Sequence, residues 1–411
     1  MQGSYSVAGG VADITPLTPV ALAGYASVRK PVFDRVDTPL EANVVVLRDG
    51  GRTCVFIAVD LMYVGSRIRD IVQQGLSGRV PAESVFMSAS HTHFGPPTED
   101  SLPVLGAVNS EYVEFVAHRI LGLAMTLLDG PFDAVAAEYC EGESWHSINR
   151  RRRVFGVSPR FPFIGSRIQI SPNLAGPRDD VIRVLRIRDA SGRDRAICWG
   201  FACHPVAYPA VDDLTAEYPG VVRGMLRARF GDMPIVFWQG FSGNIRPRVP
   251  AGAGGGMDPR SAPTFDPLSR AQWDDWSRSL GERVIDVAGR SGNPLAGPVS
   301  CTVRELDVSA LGLSSAGKRL GFQEIRFGSA LAICGLTAEV AVEYVDLLRR
   351  SRAPARVVPV GCVGDVFGYL PAGSMVGEGG YEVRGFVPRF GLGGGFSTDV
   401  SEIVTSRLFK T

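Results

Sequence analysis

The chain has 411 residues, of which 45% are hydrophobic and 21% charged, and its 43 basic and 42 acidic residues leave a formal net charge of +1. This composition excludes a disordered chain, because the apolar content is high and the net charge is low. The balanced charge also argues against a dedicated nucleic-acid binder, which carries a basic domain or stripe.

Helix-like and strand-like segments alternate along the chain. Residues 42–48 and 53–59 are apolar and flank Asp49-Gly50-Gly51, which predicts a β-hairpin. The elements predicted after it are, in chain order, a helix at 66–77, a strand at 84–89, a helix at 110–129, a strand at 133–141, a second hairpin at 181–188 and 195–203, a helix at 218–230, a strand at 233–238, a helix at 270–289, strands at 299–308, 322–328 and 330–335, a helix at 338–351 and a strand at 355–360.

This alternation predicts an α/β protein of the mixed α+β type, with mixed β-sheets flanked by helices. Two Gly/Pro-rich stretches, residues 249–267 and 371–395, lie between strongly periodic segments. Loops of this length inside a compact domain are usually functional, so we interpret them as loops and not as linkers. We therefore expect residues 1–411 to form a single domain.

Seven cysteines lie mostly in apolar runs, and no two of them have C-x-x-C spacing. This pattern predicts buried cysteines in a reducing compartment, and neither a disulfide framework nor a zinc knuckle. The first residues lack the features of a signal peptide, and no stretch reaches about 18 uninterrupted apolar residues. We expect a cytoplasmic protein with no transmembrane segment and no nucleic-acid partner.

Two of the five histidines stand together at a predicted strand end. His91 and His93 lie in the segment Ser90–Pro96, directly after the strand predicted at 84–89. In an extended segment, residues at i and i+2 point the same way, so both imidazoles would face one cleft. Histidine is the commonest metal ligand and the usual general base near neutral pH. Alone, the pair favours a metal or catalytic site no more than a hydrogen-bonded structural pair.

A third histidine repeats this placement. His204 follows the strand predicted at 195–203, and Pro205 then ends the strand ladder. Together, the two strand ends predict a zinc-type site, which needs about three protein ligands and an open position. Glu339 follows the strand at 330–335 and is the candidate carboxylate ligand. Its local pattern alone favours a different interpretation, an acid in the first turn of the predicted helix.

Several short motifs occur in a fixed order along the chain: Ala12-Asp13-Ile14-Thr15-Pro16, Leu22-Ala23-Gly24-Tyr25, Ser90–Pro96, Asn149-Arg150, Phe201–Pro205, Glu217-Tyr218-Pro219-Gly220 and Gln239–Pro247. The ordered set resembles the N-terminal catalytic domain of the neutral/alkaline non-lysosomal ceramidases, from about residue 7 to the end. The resemblance implies the fold of that domain, without the family's C-terminal immunoglobulin-like domain or its secretion signal.

The resemblance also implies a zinc amidase with one Zn²⁺ per chain. Carried over by position, the implied zinc ligands are His91, His204, Glu339 and Tyr369. The resemblance further implies that His93, Arg150 and Tyr381 contact the substrate and stabilise the oxyanion or assist the leaving group. The remaining members of the run Arg150–Arg153 are expected to form a solvated face or to bind an acidic substrate group.

One motif departs from the family. Where ceramidases have G-D-x-S-P-N, this chain has Gly243–Arg248, with Arg246 in place of the serine and Asn244 in place of the acid. Glu217 stands where the family commonly has aspartate. Arginine is larger than serine and permanently charged, so Arg246 would cap the pocket entrance and pair with an anionic substrate. The resemblance therefore implies the metal site more strongly than it implies sphingolipid hydrolysis.

These observations predict a zinc-dependent hydrolase of a linear amide or related acyl bond in a small metabolite, anionic metabolites included. One alternative is an acyl-transfer or cyclisation enzyme of a biosynthetic pathway that uses the same zinc site. A second is a non-catalytic homologue that keeps the fold and binds a ligand. A serine hydrolase is disfavoured, because Ser90 and Ser242 lie in no G-x-S-x-G elbow. The oligomeric state is not predicted.

Overall fold

The computed structural model describes residues 5–24, 29–157, 164–249, 251–252, 264–315 and 317–410. Tyr25 of the Leu22–Tyr25 motif lies outside the described residues, and so do residues 250 and 253–263 of the Gly/Pro-rich stretch at 249–267.

The strands of the described residues are β1 (Tyr5–Asp13), β2 (Glu41–Arg48), β3 (Thr53–Val59), β4 (Val85–Ala89), β5 (Asp133–Glu143), β6 (Ser147–Val157), β7 (Ile164–Asn173), β8 (Val181–Asp189), β9 (Asp194–Phe201), β10 (Ile235–Gln239), β11 (Ile245–Pro247), β12 (Ala251–Gly252), β13 (Thr264–Phe265), β14 (Asn293–Leu295), β15 (Val299–Asp307), β16 (Leu313–Ser314), β17 (Arg319–Phe327), β18 (Leu331–Leu336), β19 (Glu339–Val340), β20 (Arg356–Val360), β21 (Tyr369–Leu370) and β22 (Gly393–Gly394). The α-helices are α1 (Ser66–Leu76), α2 (Ser110–Asp129), α3 (Glu217–Phe230), α4 (Arg270–Ala288), α5 (Tyr344–Arg352), α6 (Gly373–Val376) and α7 (Val400–Val404).

Nine strands form the main sheet, in the order β10-β9-β8-β5-β1-β2-β3-β4, with β14 paired to β5. The first predicted hairpin is confirmed, because β2 and β3 are antiparallel and Arg48 stands opposite Thr53. Asp49 closes its turn, since its Oδ1 accepts hydrogen bonds from the N–H groups of Gly51 (2.9 Å) and Arg52 (2.7 Å). A second sheet has the order β15-β17-β18-β20.

The two sheets and the helices form four layers. Alternate side chains of the main sheet, such as Phe56 and Trp238, pack against the second sheet through Ile325 and Val358. The opposite side chains of the main sheet pack against α1 and α2 at one end and against α3 and α4 at the other. The outer side of the second sheet is covered by α5, α6 and α7. The predicted mixed α+β class, with mixed sheets flanked by helices, is confirmed.

The main sheet curls, so that its edge strand β10 crosses β2, β3 and the other edge strand, β4. Asn43 on β2 supports the contact, because its side-chain oxygen accepts a hydrogen bond from the N–H of Ile235 on β10 (2.9 Å). Strands β3 and β4 are parallel, and so are β9 and β10. The carboxyl ends of β4 and β10, with β9 beside β10, come to one place although these strands are far apart in the sheet order, because residues 361 and 362 bond to both Gln239 and Ala89.

The structure corrects the predicted elements at several points. The helix predicted at 338–351 begins only at Tyr344, because Glu339 and Val340 form β19 and pair with β21. Strands β1, β6 and β7 were missed. β6 contains the arginine run Arg150–Arg153, which hides the apolar alternation of a strand. All seven cysteines are buried and free, as predicted. The assignment of residues 1–411 to a single domain stays a prediction.

Within the described residues, the helices are all too short or too polar to cross a membrane.

Candidate metal centre

The candidate centre lies where strands of both sheets end. His91 follows β4, His204 follows β9 and Glu339 follows β18. Backbone hydrogen bonds join these ends through the chain after β20. The carbonyl of Cys362 accepts from the N–H of Ala89 (3.1 Å) and its N–H donates to the carbonyl of Ala338, next to Glu339 (3.1 Å). The N–H of Gly361 donates to the carbonyl of Gln239, at the end of the strand paired with β9 (2.8 Å). The polar residues that follow the apolar strands therefore meet on one rigid framework.

Backbone carbonyls orient both predicted histidine ligands. Nδ1 of His91 lies 3.0 Å from the carbonyl oxygen of Met62, and Nδ1 of His204 lies 2.9 Å from that of Ile245. A carbonyl only accepts, so each Nδ1 carries a hydrogen and donates it. The two Nε2 atoms then point to Glu339 Oε2, at 3.3 Å from His91 and 3.1 Å from His204. Metal-binding histidines are commonly oriented in this way by their second nitrogen.

The backbone at His91 is strained. Its φ is +64°, in the left-handed region that side chains other than glycine seldom adopt. Its N–H donates to the carbonyl of Leu61 (2.9 Å), which holds this conformation. Cys362, next to the His91 ring, has a φ of +53°. Such strain is concentrated at functional sites, where the surrounding structure enforces it.

Burial and charge set the protonation of the cluster. Burial opposes the charged form of His91, but Cys362 and Glu339 raise its pKa well above the ordinary value. Burial also opposes ionisation of Glu339, but His91 and His204 hold its pKa well below the ordinary value. Burial lowers the pKa of His204 to about 4, and Arg150 acts in the same direction. Glu339 is therefore a buried carboxylate and His204 a neutral imidazole, both of them donors that zinc accepts, while His91 shares its proton with Glu339.

Two tyrosines contact the same carboxylate. Glu339 and Tyr369 stand opposite each other on the paired strands β19 and β21, and the Tyr369 hydroxyl reaches Glu339. The Tyr63 hydroxyl donates to Glu339 Oε1 at 2.5 Å. Burial first, and then Glu339, raises the pKa of both phenols well above the ordinary value. Tyr63 was not predicted, because it lies in the apolar run 61–64 after the strand predicted at 53–59 and resembles a core residue.

His93 joins the group as a third imidazole. One ring nitrogen from each of His91, His93 and His204 lies within 4.8 Å of the others, so the three histidines could hold a metal ion. Gly24 makes room for His93: a Cβ at Gly24 would lie 2.4 Å from His93 Nδ1, and the φ of Gly24 is +93°. The resemblance implied a substrate contact for His93, and the geometry also makes it a candidate ligand.

Arg150 and Tyr381 border the centre on the side of Tyr369. Arg150 is buried, and its Nη2 donates to the Tyr369 hydroxyl at 3.3 Å. The ring centroids of Tyr369 and Tyr381 are 5.4 Å apart. The structure thus places both residues beside the predicted ligands, and their roles toward a substrate stay predictions.

The expected solvated face of Arg151–Arg153 is wrong for Arg151. This side chain is buried, and its Nη1 donates to Glu382 Oε2 at 2.8 Å. The register of β6 against β7 shifts between Asn149 and Arg151. Such a bulge lets consecutive side chains turn to the same side, which strict alternation would forbid. Arg152 and Arg153 are exposed, as expected.

The two residues that depart from the ceramidase motif lie nearby. Asn244 connects three segments: its Oδ1 accepts from the N–H of Val342 (2.9 Å), its Nδ2 donates to Glu343 (2.9 Å) and its carbonyl accepts from the N–H of Arg150 (2.8 Å). Arg246, on β11, has its guanidinium carbon 4.7 Å from the ring centroid of Phe265. It lines a cavity of ≈ 180 Å³ together with Phe94, Val206, Tyr208, Phe265 and Leu268.

Comparisons with known proteins give a likeness of fold. No protein-family model and no curated protein matches the sequence. The neutral ceramidase of Pseudomonas aeruginosa superposes with a TM-score of 0.75 and 17% identity, over 100% of this chain and 74% of that chain. A ceramidase complexed with C2 gives a TM-score of 0.75 and 18% identity, over 99% of this chain and 74% of that chain. The chain therefore has the fold of these ceramidases.

Proposed function

We propose that the protein is a zinc-dependent hydrolase of a linear amide or related acyl bond in a small metabolite. The main support for the proposal is the geometry of His91 and His204. A backbone carbonyl fixes the Nδ1 of each imidazole, and both Nε2 atoms point to the same carboxylate oxygen of Glu339. The shared fold with neutral ceramidases supports the hydrolase class.

The buried donors fit zinc better than a hard cation, because imidazole nitrogens outnumber carboxylates. His91, His204 and Glu339 would hold the ion, with Tyr369 or His93 as further ligands. Zinc, when bound, supplies a Lewis acid and lowers the pKa of its water to about 7.

Arg150, Tyr381 and His93 are proposed to act on the substrate. In amide cleavage, negative charge develops on the carbonyl oxygen, and donors fixed in advance stabilise it. Arg150 and the Tyr381 hydroxyl are such donors, on the same side of the centre. When Tyr369 supplies the further ligand, His93 can accept a proton from the attacking water and pass it to the leaving amine.

A panel of N-acyl amides with short and long acyl chains tests the proposal. Hydrolysis should be lost after treatment with 1,10-phenanthroline and restored by added Zn²⁺. Acyl transfer to an added amine, in place of acid release, would favour the transfer alternative. Protein that contains no transition metal when it is prepared without chelators would rule the proposal out.

Arg246 is proposed to select anionic substrates. The cavity that it lines is small and largely apolar, so its guanidinium is well placed to pair with a carboxylate at the end of a short chain. We expect Arg246→Ser to lower kcat/KM by about 10- to 100-fold for N-acyl amides that carry a carboxylate, because hydrogen bonds to charged groups contribute about 1.5–3 kcal/mol. Neutral analogues should change by less than about threefold.

Arg248→Ser is the matched control, because Arg248 is exposed and lies two residues further along the same segment. It should leave both classes of substrate unaffected. Equal losses for anionic and neutral substrates in Arg246→Ser would contradict a role in charge recognition.

A further inference from the structure

Glu382 is a buried acid next to the proposed site that the roles above leave unused. It is 1% exposed and lies in a single π-helical turn, Tyr381–Gly385. Its Oε1 accepts from Arg150 Nε and its Oε2 accepts from Arg151 Nη1, both at 2.8 Å. We call Arg150, Arg151 and Glu382 the Glu382 clamp.

The clamp fixes the direction of the Arg150 guanidinium. Glu382 occupies the Nε edge, so Nη2 is left facing the Tyr369 hydroxyl. The guanidinium is planar, and two contacts on different nitrogens therefore define its orientation. Since Glu382 also balances its charge, Arg150 is better suited to donating hydrogen bonds than to being the counter-ion of an anionic substrate.

The same contacts fix Tyr381. Glu382 directly follows Tyr381 in the π-helical turn. On the other side of Tyr381, Arg151 Nη2 donates to the carbonyl of Gly379 at 2.9 Å, two residues before Tyr381. Gly380 allows this approach, because a Cβ there would lie 2.8 Å from Arg151 Nη1 and its φ is +95°. Arg151 thus binds the turn on both sides of Tyr381.

We infer that Glu382 is a positioning residue: it holds Arg150 and Tyr381 at the geometry that stabilises charge on the substrate carbonyl oxygen, without touching the reacting atoms. The inference rests on the proposed function. Turns of π-helix are frequent at functional sites, and residues that orient contacting groups commonly change activity by about 10- to 100-fold.

The test compares Glu382→Gln with Glu378→Gln. Glu378 belongs to the same charge network but is a third exposed, and its ion pairs are with Arg151 and Arg153. We expect kcat in Glu382→Gln to fall about 10- to 100-fold with KM changed by less than about threefold. Zinc content should stay unchanged, and Glu382→Asp should recover part of the loss. Glu378→Gln should retain wild-type kcat.

Two further readouts do not depend on turnover. The affinity for acetohydroxamate, a carbonyl-like zinc ligand, should weaken by about tenfold in Glu382→Gln. Amide hydrogen exchange of residues 379–386 should become faster in this variant than in Glu378→Gln, with or without zinc. If Glu382→Gln does not fold, Glu382→Asp, which keeps the charge and shortens the side chain, takes its place in every measurement with a smaller expected effect.

The outcomes separate the two proposals. Wild-type protein that neither binds zinc nor cleaves amides overturns the proposed function, while the exchange measurement still tests the clamp. Unchanged kcat and hydroxamate affinity in folded, zinc-containing Glu382→Gln, or unchanged exchange of residues 379–386, overturns the role of Glu382.

Discussion

In His91→Ala and His204→Ala, the zinc content should fall from about one ion per chain to below about a tenth, and amide hydrolysis should fall by more than about 100-fold. Each variant removes one of the two Nε2 atoms that meet Glu339 Oε2, at 3.3 and 3.1 Å. A zinc site with three or four protein ligands does not keep its affinity when one imidazole is lost. Metal analysis of purified protein and turnover with added Zn²⁺ measure the two effects.

The same variants should also be less stable. Glu339 is buried, with the charged His91 and the neutral His204 as partners, so each change leaves a buried carboxylate with one partner fewer. Loss of the charged partner in His91→Ala costs about 3–5 kcal/mol, and loss of the hydrogen bond from the neutral imidazole in His204→Ala costs about 1–3 kcal/mol. Thermal unfolding of metal-free protein would report this loss independently of zinc.

His118→Ala is the control for both measurements. His118 lies on α2 with its side chain 67% exposed, and it should bind no metal. Full zinc content in His204→Ala, or equal loss in His118→Ala, would contradict the assignment of the centre.

The histidines of the centre could be predicted from the sequence because their signal is local. Apolar runs at 84–89 and 195–203 predict buried strands, and a histidine directly after such a run has to leave the core at the sheet edge. His91 and His204 both follow that rule, and the structure places them 4.8 Å apart between ring centroids. Tyr63 does not follow that rule, because it lies four residues after β3 within the apolar run 61–64, where a buried core tyrosine is the local expectation.

Other parts of the site depend on tertiary contacts that no local pattern contains. The approach of β4 to β10 results from the curl of the main sheet, so the sequence gives no sign that their ends meet. The local sequence predicts Glu339 as an acid in the first turn of a helix, yet its backbone pairs with that of Tyr369, 30 positions later. Likewise, the burial of Arg151 follows from a bulge in β6 and from Glu382, which lies far along the chain.

The ceramidase resemblance supplied what the local patterns could not. It implied Glu339, Tyr369, Arg150 and Tyr381 as one group, and the structure brings these four side chains together. It gave no account of Arg246, because that residue replaces a family serine. Its place beside Phe265, in the wall of a small cavity, could be found only from the fold.

In Arg150→Met, kcat should fall by about 100- to 1000-fold with little change in KM, which is the usual effect of removing one donor to a developing oxyanion. The guanidinium contacts Glu382 through Nε and Tyr369 through Nη2, so its loss removes the cation next to the proposed carbonyl site. Glu382 keeps Arg151 as a partner, and the variant should therefore fold. Steady-state kinetics with a short N-acyl amide measure the effect.

Arg150→Lys should not restore activity. Lysine carries a single ammonium, which cannot bind Glu382 on one edge and Tyr369 on the other as the planar fork of arginine does. Arg152→Met is the matched control, because Arg152 lies two residues along the same strand with its side chain exposed. If Arg150→Lys keeps wild-type kcat, positive charge alone is sufficient at this position, and the fixed geometry of the guanidinium has no part in catalysis.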